Sequence, residues 1–217
     1  MRSLKSILIT VLLLTTVSAS MGYFIWYKSK FKPNENNVAN APHAANSDRI
    51  GYNKIRTSAI SLRSILDRSY NRNICFIVDM SIPSGKKRFF VYNLQEDSII
   101  LSGLVTHGDG SEKVSGVMRF SNDLNSGCTS LGKYKIGNSY YGKFGLAFKL
   151  HGVDKSNSHA YNRFVVLHAH PCVPNGEVAP LHICKSLGCP TVSPEFLQKL
   201  KEYIKASKKP VVLEIIN

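Results

Sequence analysis

The chain has 217 residues, of which 43% are hydrophobic, and a formal net charge of +14. This length and composition predict one globular domain with a sizeable core and leave little room for a second. A basic surface favours anionic partners such as nucleic acid, acidic lipid headgroups or an anionic cell-wall polymer. No run of Arg and Lys is interleaved with aromatic residues, so the sequence predicts no nucleic-acid partner.

Residues 1–32 predict an N-terminal membrane anchor or signal segment. The stretch from Ile7 to Tyr27 carries no charge, and about 20 apolar residues are enough to cross a bilayer. Val17-Ser18-Ala19 resembles a signal-peptidase site, whereas the aromatic residues from Tyr23 to Tyr27 suit a membrane–water interface. We therefore expect an inner-membrane anchor, with a cleaved signal as the alternative, and a periplasmic or otherwise extracytoplasmic location in both cases.

Residues 33–50 predict a flexible linker, and residues 51–217 predict the globular domain. The linker is rich in Asn, Ala and Ser and poor in large apolar side chains, which is typical of a spacer. From Tyr52 to Tyr70 the apolar residues recur at nearly helical spacing, which predicts an amphipathic helix that ends near Asn71.

Strand signals dominate the rest of the domain. Short apolar runs at 74–80, 88–92 and 99–105 are separated by turn residues, as in a β-meander. Further strands are predicted at 132–136, 145–151, 162–168 and 210–216. Residues 106–130 are mostly small and polar, and a stretch this long without a pattern is often a functional loop. Ser193-Pro194-Glu195 predicts an N-cap and the start of a helix to about Ala206. The fold class is therefore mainly β (α+β), with one or two peripheral helices.

The chain has five cysteines, an odd count that leaves at least one thiol unpaired in an exported protein. They are Cys75, Cys128, Cys172, Cys184 and Cys189. If Cys189 is the free thiol, the other four allow several pairings. A bridge between Cys172 and Cys184 would staple the loop between His168 and Cys189.

One histidine and one cysteine have the pattern of a base and a thiol nucleophile. His168 ends the apolar run from Phe164 to Leu167, and Cys189 follows Gly188 in a turn of small residues. The nucleophile must be a thiolate, which a nearby histidine or backbone N–H groups favour. Gly188 permits a sharp turn, and the N–H groups from residue 187 to residue 189 would bind a developing oxyanion. From this pattern alone, a buried or disulfide-bonded Cys189 stays open.

A zinc site is a different interpretation of the same region. Thiolates and imidazoles are zinc ligands, but their spacing here matches none of the standard Cys-x2-Cys structural sites. The candidate ligands are His168, His170, Cys172, His182, Cys184 and Cys189.

The string Ser186-Leu187-Gly188-Cys189-Pro190, with His168-Ala169 upstream, resembles the active-site signature of the murein L,D-transpeptidases (the YkuD-type family). It is most similar to the branch with a Ser-x-Gly-Cys-Pro signature. The family usually has Gly at the position of Ala169 and often has Trp or His at that of Leu187. The similarity covers about residues 70–216 and includes further motifs in the same order. These are His107-Gly108-Asp109-Gly110-Ser111, Arg119-Phe120-Ser121-Asn122, Ser130-Leu131-Gly132, Tyr141-Gly142-Lys143-Phe144-Gly145, Leu150-His151-Gly152-Val153-Asp154 and Arg163.

The resemblance implies an L,D-transpeptidase-like β-sandwich or barrel and a peptidoglycan L,D-transpeptidase that uses no metal or other cofactor. It implies that Cys189 attacks a tetrapeptide stem, releases D-Ala and passes the acyl group from a thioester to an amine. His168 would be the general base, and Ser186, Leu187 and Gly188 would orient the thiol or surround the oxyanion. Alternatives are an L,D-carboxypeptidase with water as acceptor and a non-catalytic wall-binding module.

Four other residues are candidate contacts of a peptidoglycan stem. His170 lies two residues from His168 on the same side of a strand, so it is the rival base, although the family register favours His168. His107 lies in a Gly-rich loop that the family places near the active site, and a role in the loop structure is the alternative. Arg119 and Arg163 would bind a stem carboxylate through a bidentate fork, with a structural role again as the alternative.

Overall fold

A computed structural model describes residues 18, 21–23, 42–112 and 117–217. The chain divides into two compact units, residues 1–49 and 50–217. The predicted membrane anchor or signal segment at 1–32 lies outside the described residues, except for residues 18 and 21–23. Residues 33–41 of the predicted linker also lie outside them. Within the described ranges, no helix is both long enough and apolar enough to cross a membrane.

Eight strands form one open mixed sheet, so the predicted mainly β (α+β) class is confirmed. The strands are β1 Ile74–Asp79, β2 Phe89–Asn93, β3 Ser98–Gly103, β4 Gly132–Gly142, β5 Gly145–Gly152, β6 Val166–Ala169, β7 Thr191–Val192 and β8 Val212–Ile216. Their order in the sheet is β3-β2-β1-β8-β4-β5-β6-β7. The β1–β8 and β6–β7 pairs are parallel, and the other pairs are antiparallel.

The chain just after the edge strand β3 reaches the opposite edge of the sheet. Val105 forms an isolated antiparallel bridge with Val192 of β7, and Thr106 N donates to Thr191 O at 2.9 Å. These contacts hold the loop that follows β3 against β7, which starts two residues after Cys189.

Two helices cover opposite faces of the central strands. They are α1, Pro42–Ile65, and α2, Pro194–Ala206. Because side chains alternate along a strand, Phe76 of β1 belongs to the core cluster that includes Leu200 of α2. Its neighbour Cys75 belongs to the cluster of Ile55 and Leu62 of α1. Burial of each such large side chain contributes about 1.5–3 kcal/mol, so both faces stabilise the sheet that carries the site.

Some element boundaries differ from the sequence predictions for local reasons. Helix α1 begins ten residues earlier than predicted, at Pro42, and ends at Ile65. Its end is fixed by polar turns, because the Asp67 and Asn71 side chains accept backbone N–H groups two residues further on. Strand β6 starts at residue 166 rather than 162, since residues 160–165 form tight turns. The predicted cap of α2 is confirmed, with Phe196 N donating to Ser193 Oγ at 3.2 Å.

Candidate active site

Parallel pairing of β6 and β7 brings His168 and Cys189 to one place. His168 pairs with Thr191, and Ala169 pairs with Val192. Extending this register back by two residues sets Cys189 opposite Val166, and Val166 N indeed donates to Cys189 Sγ at 3.5 Å. Residues two apart on a strand share a face, and diagonal neighbours across a strand pair lie about 7–8 Å apart. The thiol and the imidazole therefore face the same space.

That space is a cavity of about 650 Å³. The cavity wall combines apolar, cationic and small polar side chains. The lining residues are Thr106, Asp109, Phe144, Arg163, Phe164, His168, His170, Cys172, Lys185, Ser186, Leu187, Cys189 and Thr191.

Cys189 is a free, half-buried thiol at the edge of this cavity. Its Sγ accepts the Val166 N–H and lies 3.7 Å from Phe164 O. Burial raises the pKa of the Cys189 thiol, while the Val166 N–H and the Arg163 charge act in the opposite direction. The resting group is therefore a neutral thiol that needs a base to become a thiolate.

His168 is buried in β6, with both ring nitrogens engaged. Its Nδ1 lies 3.1 Å from Ala169 O, and its Nε2 lies 3.0 Å from Thr191 Oγ1. Because a carbonyl only accepts, Nδ1 carries the proton, and Nε2 accepts from the Thr191 hydroxyl. Burial lowers the pKa of His168, as does the neighbouring His170. The imidazole is therefore neutral around pH 7 and able to take up a proton.

The loop before Cys189 is held by Ser186. Its Oγ donates to Cys189 O at 2.6 Å and accepts from Gly188 N at 3.1 Å. Gly188 has φ of 113°, and a Cβ there would lie 2.7 Å from Cys128 O, so only glycine fits. The N–H groups of Leu187 and Cys189 have no hydrogen-bond acceptor among the described residues. Two of the three predicted oxyanion donors are thus available, and Gly188 N is not.

Phe144 covers the imidazole from the β4–β5 hairpin. Gly142 pairs with Gly145, which leaves a two-residue turn. The Phe144 ring stacks on His168 with 4.9 Å between centroids, and it meets His170 edge-on at 6.0 Å. His170 also lines the cavity, and its Nδ1 accepts from Cys172 N at 3.2 Å. The predicted site residues His168 and His170 therefore share one aromatic lid.

Arg163 is in the cavity wall, but its guanidinium is bonded to the protein. Nη1 donates to Ser121 O at 2.9 Å and to Ser130 Oγ, and Nη2 donates to Cys128 O and, at 3.3 Å, to Ser126 Oγ. These bonds anchor the 121–130 loop beneath Gly188. Its charge still acts on the thiol pKa.

The structure places the side chains of His107 and Arg119 outside the described lining of this cavity. The His107 ring lies between Arg88 Nη2 at 2.9 Å and Glu112 Oε1 at 3.1 Å. Only its backbone oxygen supports the site, by accepting from Ser186 N at 2.9 Å. Arg119 Nη2 lies 3.5 Å from Cys128 Sγ. Substrate contact by either residue stays a prediction.

Cys172 and Cys184 form the disulfide that the sequence suggested, and Cys75, Cys128 and Cys189 are free. The bridge closes the loop that leads from β6 to Ser186. It also removes two of the six candidate zinc ligands, since disulfide sulfurs are not thiolates. In the described part of the chain, no three His, Cys, Asp or Glu side chains are grouped as a metal site.

Sequence reasoning did not select six residues of the cavity as site residues: Thr106, Asp109, Phe144, Phe164, Lys185 and Thr191. Lys185 lies 3.3 Å from Asp109 and also pairs with Glu112. The position of Thr191 directly after Cys189-Pro190 could have identified it as a site residue. Phe144 lies in the 141–145 motif of the family resemblance, but its contact with His168 depends on the hairpin and had no local signal.

A sequence model of the L,D-transpeptidase catalytic domain matches residues 46–212 of this chain. No curated protein matches it. Among solved structures, an L,D-transpeptidase from Mycobacterium smegmatis is 13% identical with a TM-score of 0.39, and the match covers 67% of this chain and 59% of the other.

Two other solved structures show a similar extent of overlap. Bd1075 from Bdellovibrio bacteriovorus is 18% identical with a TM-score of 0.41, and 66% of this chain and 48% of the other are covered. A mutant L,D-transpeptidase from Enterococcus faecium is 11% identical with a TM-score of 0.41, and 66% and 50% are covered. This chain thus spans less than two thirds of the length of each of these three structures.

Proposed function

The chain belongs to the L,D-transpeptidase catalytic domain family, and from that premise we propose that it transfers the acyl group of a peptidoglycan tetrapeptide stem through a thioester on Cys189. The observation that carries the proposal is that the His168 imidazole on β6 and the Cys189 thiol, two residues before the paired strand β7, line one cavity. Independently of this geometry, the resemblance of the Ser186–Pro190 string to the family signature supports the same chemistry.

In the first step, His168 removes the thiol proton, and Cys189 Sγ attacks the carbonyl carbon of the third stem residue. The carbonyl oxygen becomes an oxyanion, which the N–H groups of Leu187 and Cys189 stabilise. The C–N bond to the terminal D-Ala then breaks, and its amine takes the proton from the imidazolium. The products are a thioester and free D-alanine, so the step needs no external energy source.

The observed hydrogen bonds support a base that is ready but not yet engaged. His168 Nε2 binds Thr191 Oγ1 at 3.0 Å, and the nearest partners of the thiol are Val166 N and Phe164 O. Catalytic hydrogen bonds in a ligand-free site are often long and shorten only when substrate binds. Rotation of the His168 ring away from Thr191 would free Nε2 to accept the thiol proton.

In the second step, an amine of a neighbouring stem attacks the thioester and gives a proton to the neutral His168. The C–S bond then breaks, and the leaving Cys189 thiolate takes that proton from His168. The product is a 3→3 crosslink between stems. Water in place of the amine would give an L,D-carboxypeptidase with the same first step. Phe144 and the exposed Leu187 form apolar parts of the cavity wall. An amine acceptor that carries apolar groups is therefore favoured relative to water.

We also propose that the domain acts outside the cytoplasm, with residues 1–32 as its anchor or signal. The Cys172–Cys184 bridge supports this location, because disulfides persist in oxidising compartments.

Intact-mass spectrometry of the protein with a disaccharide-tetrapeptide tests the proposed function. We expect an adduct with the mass of the tripeptide acyl group, together with released D-alanine. Cys189→Ala should form no adduct. Cys75→Ala is the matched control, because it also removes one free thiol, and Cys75 is buried in the α1 face of the core.

An adduct that persists in folded Cys189→Ala would rule out Cys189 as the nucleophile. Adding an amine acceptor then separates the two enzyme classes. Formation of a crosslinked product indicates a transpeptidase, and release of free tripeptide alone indicates a carboxypeptidase.

A further inference from the structure

Phe164 lies between the Cys189 cavity and a second cavity, since it lines both. The second cavity has a volume of about 330 Å³, and its wall includes Tyr140, Lys149 and Tyr161. The Tyr161 ring stacks on His151, with centroids 5.4 Å apart. The cavity of the thiol is therefore adjacent, across Phe164, to an aromatic and cationic cavity.

A further cavity lies on the His151 side of this ring stack. A third cavity of about 360 Å³ is lined by His151 together with Lys135 and the 207–211 segment. It shares residues 207–209 with a fourth cavity of about 440 Å³. Four cavities thus follow one another from Cys189 to the start of β1.

We call the three cavities beyond Phe164 the basic track. Their walls contain six cationic side chains and no carboxylate. The cations are Arg68, Arg72, Lys135, Lys149, Lys208 and Lys209. Asp67 lies near Lys209, whose charge contributes to its lowered pKa, but Asp67 is outside the walls.

The cations of the basic track form no direct ion pair with a described carboxylate, although Asp67 lies near Lys209. In the part of the chain that the structure describes, none of the six forms an ion pair, whereas Lys133 pairs with Asp154 and Lys185 pairs with Glu112. The Lys149 ammonium instead lies 5.7 Å from the centroid of the Tyr161 ring. Unpaired like charges along a groove raise the local concentration of an anionic ligand.

We propose that the basic track binds the glycan strand that carries the stem attacked by Cys189, with the carboxylates of neighbouring stems against its lysines and arginines. This inference rests on the proposed function. The substrate is a polymer, so it must continue beyond the cavity of the thiol, and the track starts at the cavity wall. The exposed Tyr140 and Tyr161 add to the track side chains that combine apolar carbon with a polar hydroxyl, which suits the mixed surface of a sugar.

A double-stranded nucleic acid would also be attracted to such charges. The glycan is the better occupant, because the track leads directly to the cavity of the thiol through Phe164. Nucleic acid therefore enters the experiment as a competitor.

Co-sedimentation of the full chain with insoluble peptidoglycan that carries tetrapeptide stems tests the inference. All binding is measured in the Cys189→Ala background, so that no covalent adduct forms. The track variant is Lys135→Gln/Lys208→Gln/Lys209→Gln. The matched control is Lys86→Gln/Lys87→Gln/Lys199→Gln, which removes the same charge from exposed positions outside the track.

We expect the track variant to raise the dissociation constant about tenfold, and the control to change it less than about twofold. Equal weakening in both triple variants would overturn the inference. So would double-stranded DNA that displaces the chain as effectively as soluble peptidoglycan fragments at equal charge, because the surface would then be a general polyanion site.

Peptide-free glycan separates the sugar contacts from the charge contacts. Tyr161→Ala should weaken binding of this probe several-fold, and the lysine variant should affect it less than it affects stem-bearing peptidoglycan. No binding of peptide-free glycan by the parent chain would overturn the sugar contact.

Acylation of the chain with Cys189 intact, by the small disaccharide-tetrapeptide, is a separate readout. Track-dependent polymer binding without acylation would refute the proposed chemistry and leave the basic track standing. Acylation with track-independent binding would refute the basic track alone.

Discussion

Two buried histidines flank the segment that carries Cys189, and they differ in what each could do with a proton. His107 is 4% exposed and His168 is 6% exposed. Burial is the main reason why the pKa of each is lowered. Each also has a polar partner at both ring nitrogens. By burial and pKa alone, the two side chains are indistinguishable.

Their partners distinguish them. His107 Nδ1 accepts from Arg88 Nη2, and a guanidinium only donates. A proton on Nδ1 would therefore face another N–H, and Arg88 holds His107 neutral. The Nε2 atom of His107 already carries its hydrogen and donates to Glu112.

His168 has a partner that can reverse its role. Its Nε2 accepts from the Thr191 hydroxyl, which also lies 3.5 Å from Cys189 O. When Nε2 gains a proton, that hydroxyl can accept from it and turn its own hydrogen toward Cys189 O. The imidazolium of His168 can thus be stabilised by Thr191, whereas Arg88 gives His107 no such partner.

The largest expected effect breaks this comparison by replacing each histidine with glutamine. We expect His168→Gln to lower the single-turnover acylation rate about 10²–10⁴-fold, the usual contribution of a general base. We expect His107→Gln to act on the fold instead, with a loss of about 1–3 kcal/mol in unfolding free energy from its disturbed buried hydrogen bonds.

Acylation is followed by intact mass, and stability by thermal unfolding of the same samples. The interpretation of the two histidines would be wrong if His107→Gln, measured per folded molecule, lost as much acylation rate as His168→Gln.

The parts of this comparison that the sequence could predict are the local ones. His168 and Cys189 are 21 positions apart in one connection, and the Ser186–Pro190 string identifies the turn between them. The side-chain direction of His107 depends on Arg88, which reaches it from the start of β2, and no sequence pattern reports that contact.

Other features of the site were missed because they depend on pairing at a distance or on very short elements. Strand β7 has two residues, too few for any periodicity, and yet it sets the register of His168. Phe144 reaches His168 only because β4 and β5 form a tight hairpin beside β6. The eight-strand order of the sheet, with β8 between β1 and β4, likewise has no local signal.

A smaller effect is expected from removal of the Cys172–Cys184 bridge. This change sharpens the comparison of the two histidines, because it acts on the side of His168. Cys172 lines the cavity and its N–H donates to His170. Cys172→Ser/Cys184→Ser opens a loop with a sequence separation of 12, which should cost about 3 kcal/mol of unfolding free energy. We expect a several-fold lower acylation rate in the folded protein.

Reductant provides the control for this variant. It should lower the stability and acylation of the parent protein and leave the double variant unchanged. A parent protein that resists reductant while the double variant loses stability would attribute the effect to the serines rather than to the bridge.

The smallest effect is expected in the pH dependence of stability and of acylation. Because the folded-state pKa of each histidine is lowered, the unfolded chain binds more protons as pH falls through the ordinary range of a histidine. The contribution of the two neutral histidines to the unfolding free energy is fully present above that pH range. It is lost as pH falls to their lowered folded-state pKa, with a slope of at most about 1.4 kcal/mol per pH unit for each group. The carboxyl groups of Asp97 and Glu112 have lowered pKa values, so they titrate at more acidic pH.

Each histidine variant should therefore reduce the loss of unfolding free energy as pH falls from about 7 to about 5, where histidines titrate.

The pH dependence of acylation should distinguish the two residues. The acylation rate should fall at acid pH with a midpoint below the ordinary histidine range, because only neutral His168 accepts the thiol proton. It should rise further at alkaline pH, where the raised pKa of Cys189 delays thiolate formation. If His107→Gln moved the acid midpoint of acylation as well as the stability curve, Arg88 would not isolate His107 from the reaction, and the two regions would titrate as one.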